Sequence, residues 1–203
     1  MSFIEINQIS HKFSVGAPVL KDFTLHIEKG ECVGVTGRSG CGKSTLAQII
    51  AGHLTPNHGQ ILVNGREVTG RPQRDVFLVH QDSDLFPWQR VHQQIAFGNE
   101  NATPQQINEL LELTKLTGFE NYYPRQLSGG MKKRLSIARA LAVNPQLLIF
   151  DESFSSLDFE LRVELFTDLK AIWRKKQTTI LLITHDPRDL TEIAQREVRL
   201  LRP

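Results

Sequence analysis

Three groups of residues in this chain have types and spacings that can do chemistry. The first is Gly37-Arg38-Ser39-Gly40-Cys41-Gly42-Lys43-Ser44, with Thr45 following. Its glycines let successive backbone N–H groups turn inward around a phosphate chain, and a helix opening at its end adds partial positive charge. In such a loop Lys43 would reach the β- and γ-phosphates of a nucleoside triphosphate, and the Ser44 hydroxyl would coordinate Mg²⁺. The bland alternative is an ordinary glycine turn before a helix. Context weakens it: a short apolar run, Glu31 to Thr36, precedes the glycines, and Leu46, Ile49 and Ile50 follow at helical spacing.

The second group is Asp151-Glu152, carried by the apolar run Leu147-Leu148-Ile149-Phe150. A buried strand that ends in two carboxylates delivers them to the edge where open α/β sheets bind ligands. There Asp151 would hold Mg²⁺, and Glu152 would polarise a water for attack on the γ-phosphate. The third group is Leu127-Ser128-Gly129-Gly130-Met131, ahead of a helix expected from Lys132 to Val143. Ser128 with two glycines at a helix start makes a second anion site by the same dipole logic. One nucleotide does not need two cradles on one chain, so the second makes sense as part of another subunit's site. Otherwise Ser128 is a plain helix cap.

These groups need elements to hold them. Alternation over Phe3 to Ile9 and Leu20 to Ile27 suggests half-buried antiparallel strands, and Asn64-Gly65 is a hairpin turn signal. Val76 to Val79 gives another strand. The region from about 90 to 143 reads as helical. Thr103-Pro104-Gln105-Gln106 supplies a cap, a first-turn proline and a capping-box glutamine, and the helix should run with Ile107, Leu110, Leu111 and Thr114 on one face to near Gly118. The last third alternates: strand at Leu147 to Phe150, helix at Phe159 to Lys175, strand at Thr178 to Ile183, helix at Pro187 to Arg196. Apolar strands without alternation, joined by helices, imply a parallel sheet covered on both faces. The expected fold is α/β with a helical insertion.

The 203 residues suit one domain; 40% are hydrophobic and 23% charged, which excludes disordered and fibrous classes. A net charge of +2 is too small to argue for nucleic acid. No apolar run approaches the roughly 18 residues of a spanning helix. The first residues lack the basic and apolar regions of a signal peptide. Cys32 and Cys41 make neither a disulfide framework nor a zinc site, so a cytosolic setting is expected. Cys41, near a helix N-terminus, is also a candidate thiolate beside the phosphates.

Taken in order, these motifs resemble the ATPase subunit of an ABC transporter: a Walker A loop at 37–45, a signature at 127–131 and a Walker B strand at 147–152. Ser155-Ser156-Leu157-Asp158 resembles the family's D-loop, His185 in Thr184-His185-Asp186 its switch histidine, and Gln81 its Q-loop glutamine. The resemblance covers essentially the whole chain. It implies a single ABC ATPase domain over 1–203: a P-loop NTPase with a mainly parallel core sheet, an N-terminal antiparallel β subdomain and an inserted helical subdomain at roughly 88–143. No C-terminal regulatory domain is expected.

The resemblance further implies a head-to-tail dimer, each ATP lying between one Walker A loop and the other subunit's Ser128, Gly129 and Gly130. Gln81 would contact Mg²⁺ or the attacking water, His185 the γ-phosphate, and Asp158 would link the two sites. Asp158 could equally cap its helix. Phe13 occupies the place of the family's adenine-stacking aromatic, although a core role suits it almost as well. No Asn-Lys-x-Asp guanine-reading motif occurs, which favours ATP over GTP.

Leu85-Phe86-Pro87-Trp88 and Met131 resemble the importers of nitrate, sulfonates and taurine. Such a subunit would sit on the inner face of the cell membrane against a transmembrane permease, docked near Gln81, Phe86, Pro87 and Trp88, and would serve a solute-binding protein indirectly. Three residues depart from that pattern: Ser153 where proline is usual, Lys133 where glutamine is usual, and Arg38 where proline is common. A second reading is a non-transport ABC ATPase of translation or DNA repair. One motif set, and only about fifty residues between Gln81 and Ser128, count against it. A purely regulatory nucleotide module would lack Glu152 or Ser128.

Overall fold

Two sheets of opposite character organise the computed structural model, which describes residues 2–14, 16–80, 85–99, 101–155 and 157–203. The alternating segments near the N-terminus pair antiparallel. β1 (Ile4–His11) lies between β2 (Leu20–Ile27) and β4 (His58–Val63), with β5 (Arg66–Glu67) joined to β4 through Asn64-Gly65. Ile4 and Ile6 point into the core with Glu5 between them turned outward, and an irregularity at Gln8 (φ 50°) shifts the register so that Ile9 is again buried.

The non-alternating runs form the second sheet. β3 (Cys32–Thr36), β6 (Val76–Val79), β7 (Leu147–Asp151), β8 (Thr179–Ile183) and β9 (Arg196–Arg199) run parallel in the order β6-β7-β8-β3-β9. Every residue of β3, β7 and β8 is buried because both faces are covered. Leu147 and Ile149 join the apolar cluster shared with β1, β2 and α1 (Lys43–Ile50). Leu148 and Phe150 join the one formed with α2 (Val91–Gly98), α3 (Pro104–Leu113), α4 (Gly129–Ala142), α5 (Phe159–Lys176) and α6 (Pro187–Ile193). Cutting one of these side chains, as in Ile149→Ala, would cost about 2–5 kcal/mol.

Register across the sheet sets the site. Val35 pairs with Ile183, Ile183 with Asp151, and Phe150 with Val79. The four strands therefore release Thr36, Thr184, Asp151 and His80 at one carboxyl edge, and in sequence each exit leads directly into a predicted motif.

α4 opens at Gly129, three residues before the expected Lys132, with Ser128 as its cap, and two helix C-termini fall short of the sequence expectation. α3 stops at Leu113 rather than near Gly118: the Thr114 hydroxyl bonds back to the Leu110 carbonyl at 2.7 Å, Lys115 turns left-handed (φ 56°), and the Leu116 N–H closes on the Leu111 carbonyl at 2.7 Å. Leu116 is fully buried in that closing turn, so an apolar residue that looked like another helical turn is the cap's apolar contact. α6 stops at Ile193. Gln195 bonds Cys32 through both its N–H and its side-chain oxygen, and Arg196 then starts β9 beside β3 instead of extending the helix.

Candidate functional site

The loop after β3 wraps a cavity of about 810 Å³ at the carboxyl edge. Gly42 stands at the N-cap of α1 with φ 101°, and a Cβ there would lie 2.8 Å from Val19. No other residue type satisfies both conditions. Lys43 is 5% exposed and folded inward: its Nζ donates to the Gly37 carbonyl at 3.0 Å and the Arg38 carbonyl at 3.3 Å. The Ser44 hydroxyl donates to Asp151 Oδ1 at 3.1 Å across the gap between α1 and β7. Gly40, Gly42, Lys43, Ser44 and Thr45 all line this cavity with Asp151 and Glu152.

Burial pushes the Asp151 carboxyl up from its ordinary value; the Ser44 hydrogen bond opposes that and the neighbouring Glu152 adds to it. A half-desolvated carboxylate beside a hydroxyl is an oxygen pair that a hard divalent cation would relieve. Next along the chain, Glu152 adopts φ 46°, a left-handed conformation that costs a non-glycine residue roughly 1 kcal/mol or more. Its N–H donates to the Ile183 carbonyl at 2.9 Å, so the β7–β8 ladder enforces the twist. The carboxylate is thereby swung between two partners: Oε1 lies 3.4 Å from Lys43 Nζ, and Oε2 lies 3.4 Å from His185 Nδ1. A second cavity, about 660 Å³, continues along Glu152 and His185 to Gly37, Arg38 and Ser39.

Phe13 lines the first cavity and is 47% exposed, its ring edge-on to His11 at 4.8 Å between centroids. It is not a core aromatic. Cys41 is buried; its sulfur would lie 2.6 Å from a Cβ added to Gly37, and it lines a separate small cavity with Leu200 and not the phosphate-side one. Ser128 and Asp158 both act as caps: Ser128 accepts from the Met131 N–H at 3.2 Å and Asp158 from the Leu161 N–H at 2.9 Å. Gly130 packs on Leu161, whose Cδ2 would lie 2.5 Å from an added Cβ, while nothing lies within 4 Å of the corresponding point on Gly129. Among the described residues, those lining the two cavities do not include Ser128, Gly129, Gly130 or Asp158. Gln81 and Ser156 lie outside the described residues.

The family model described as ABC transporter matches residues 20–155, two thirds of the sequence. The chain belongs to the ABC transporter family. It is 44% identical over 188 residues to the aliphatic sulfonates import ATP-binding protein of Bacillus licheniformis, covering 91% of this chain and 73% of that one. It is 43% identical to the nitrate import ATP-binding protein of Synechocystis sp., over 87% and 68% of the two chains. Against the taurine import ATP-binding protein of Escherichia coli O157:H7 it is 41% identical over 97% and 79%. Two solved structures share the fold closely. One is part of an ABC transporter complex from Clostridium perfringens (TM-score 0.83, 29% identity, 91% of this chain and 79% of that one). The other is a dimeric ATP-binding cassette in a post-hydrolysis state with ADP and phosphate (TM-score 0.84, 27% identity, 97% and 94%).

Within this ABC cassette, two of the departures in sequence meet at one atom. Ser153 is fully buried, and its hydroxyl donates to the Val79 carbonyl at 2.6 Å and lies 3.2 Å from the His80 carbonyl. Lys133, buried on α4, donates to that same His80 carbonyl at 3.0 Å. β6 is the edge strand, so side chains supply hydrogen bonds at its end that no neighbouring strand provides. His80 itself lines the phosphate-side cavity. The sequence reading missed His80 and Val19. The first could have been noticed from its place beside Gln81; Val19 carries no signal.

Around Pro87, Phe86 packs against Trp88 and Phe97 at 5.6 and 4.8 Å between centroids, with Arg139 over its face. Trp88 is 70% exposed and Phe97 58%. No helix of the described residues is long and apolar enough to cross a membrane.

Proposed function

We propose that this chain hydrolyses ATP as the motor subunit of an importer for a small solute, within a single domain spanning 1–203 whose helical part covers roughly 88–143. The observation that carries the reading is the convergence of Lys43, Ser44, Asp151, Glu152 and His185 on one sheet edge. Bare N–H groups from Gly37 to Thr45 and the start of α1 would receive the triphosphate, with the adenine against Phe13. Lys43 then exchanges its carbonyl partners for the β- and γ-phosphates. Ser44 and Asp151 would hold Mg²⁺, with Gln81 completing the set; the ion would neutralise charge on the phosphate oxygens. Glu152, released from Lys43, accepts a proton from the attacking water, and His185 contacts the γ-phosphate.

Ser128, Gly129 and Gly130 would close the site of a second subunit in a head-to-tail dimer, with Asp158 at the junction. Their absence from this chain's own cavities and the open face of Gly129 support that reading. The corner at Phe86-Pro87-Trp88, a few residues after Gln81 in sequence and with Pro87 and Trp88 exposed, suits a helix of a transmembrane permease, which would hold the subunit on the cytoplasmic face of the membrane and link it indirectly to a solute-binding protein. The import proteins among its relatives favour uptake over a role in translation or repair.

The test is mild-detergent purification of the tagged chain from its native membranes, with ATPase assay of the recovered complex. A multi-spanning permease in the complex and MgATP turnover abolished by Glu152→Gln are the expected results. Ribosomal or DNA-bound partners without a permease would replace the import role, and undiminished turnover of the variant would remove Glu152 as the base.

A further inference from the structure

Arg162 lies on the first turn of α5, is 8% exposed, and touches neither cavity described above. Its guanidinium nevertheless reaches three separate segments. One arm, Nη1, donates to Asp186 Oδ2 at 2.9 Å and to Asp189 Oδ1 at 3.0 Å. The other, Nη2, donates to the Leu157 carbonyl at 3.0 Å. Asp189 accepts the Thr184 hydroxyl at 2.6 Å, and that hydroxyl accepts from the Asp186 N–H at 3.0 Å. The residues on both sides of His185 are therefore tied to Arg162, and so is the residue immediately before Asp158.

The arrangement is not one that stability alone would select. Replacing a buried ion network by well-packed apolar residues is often neutral or stabilising. Here the Nε of Arg162 is also buried without a hydrogen-bond partner among the described residues, a desolvation cost that the network accepts. What the fork supplies is geometry. A planar guanidinium holds its arms at fixed angles, so a displacement of the Leu157 carbonyl is passed to the Asp186–Asp189 side. The side chain of His185 is 56% exposed, and beyond its 3.4 Å contact with Glu152 it depends on its backbone for aim.

We propose that Arg162 is a positioning residue that couples the Asp158 segment to the His185 loop. It keeps the imidazole against Glu152, and it makes that alignment respond to whatever engages Asp158. The inference rests on the dimeric ATPase reading above, in which Asp158 meets the second subunit and His185 the γ-phosphate. A second subunit docking on the Asp158 segment would thus set the position of His185 in the first.

Two variants of the full chain test this. Arg162→Lys keeps a positive charge against both aspartates but has no second arm for the Leu157 carbonyl. Thr184→Val cuts the Asp189 link on the His185 side and leaves the Leu157 side whole. Turnover, fluorescent-ATP affinity, MgATP-driven dimerisation and Tm are measured for each. For Arg162→Lys the expected result is ATP affinity within about twofold, kcat lower by at least about tenfold, and weakened dimerisation. For Thr184→Val a comparable loss in kcat is expected with dimerisation retained, and the double variant should lose little more than Arg162→Lys alone.

Full turnover in Arg162→Lys overturns the coupling, as does a loss that merely follows the folded fraction. Multiplying losses in the double variant overturn it too. If Arg162→Lys fails to fold, Thr184→Val decides: unchanged kcat overturns the proposal, and lowered kcat with normal affinity and dimerisation supports it. A wild-type chain that neither dimerises nor turns over with MgATP overturns the parent reading as well, and that result is distinct from variants that behave like an active wild type.

Discussion

Lys43 Nζ sits 3.4 Å from Glu152 Oε1, with the lysine side chain 4% exposed and the glutamate 28%. The group expected to grip phosphate and the group expected to activate water thus hold each other. On the proposed reading, a triphosphate that draws Lys43 to its phosphates would break this contact and free Glu152 as substrate arrives.

Glu152→Gln should therefore do two things. Turnover should fall by at least about a hundredfold, because the amide cannot accept the proton. ATP affinity should rise by a few-fold, because Lys43 loses a competing charge. Isothermal titration alongside a phosphate-release assay checks both; weaker ATP binding in the variant would contradict the competition.

Lys43→Ala should bind MgATP at least about tenfold more weakly, since a charge-assisted contact to phosphate is worth roughly 1.5–3 kcal/mol. Fluorescent-nucleotide titration reads it directly. Unchanged affinity would remove the phosphate loop as the binding site.

Ser153→Ala deletes the hydroxyl that reaches the Val79 and His80 carbonyls inside the fold. A loss of about 1 kcal/mol is expected, or about 2–4 °C in Tm for a chain of this size. Thermal unfolding followed by circular dichroism measures it, and an unshifted Tm would mean that these carbonyls do not depend on the hydroxyl.

The Arg188 guanidinium hydrogen-bonded to Asp186 holds that carboxyl well below the usual range; slight burial opposes this, and the Arg188 N–H and Arg162 reinforce it. A carboxyl whose folded pKa is depressed adds stability that is complete above its unfolded value, about 4, and is lost as pH falls through the folded value. Arg188→Ala should accordingly lower Tm at neutral pH, with the gap from wild type closing below about pH 4. A gap independent of pH would assign the effect to lost packing of Arg188 over Phe159.

Much of this was readable in the residues. Gly42-Lys43-Ser44 and Asp151-Glu152 were found because their chemistry is local: a glycine turn before an apolar-periodic helix, and carboxylates at the end of an apolar strand. The capping box at Thr103 and Gln106 closed as expected, with both reciprocal hydrogen bonds present. β9 was missed because Arg196-Glu197-Val198-Arg199 is mostly exposed and polar, and its pairing with β3 is made across about 160 residues of chain. Arg162 was passed over for the same reason. One arginine on a helix carries no sign that aspartates 24 and 27 residues away will meet it.

The left-handed turn at Glu152 also bears on how this protein would respond to engineering. Glycine at that position would relax the backbone and relieve part of the crowding of carboxylates beside Asp151. A library screened only for heat resistance would weigh that relief against the carboxylate partner lost to buried Lys43, and wherever the relief wins, the proposed base would be discarded. On the proposed reading, Glu152 survives only where ATP-driven uptake is itself selected, and the strained φ is then a mark of that selection.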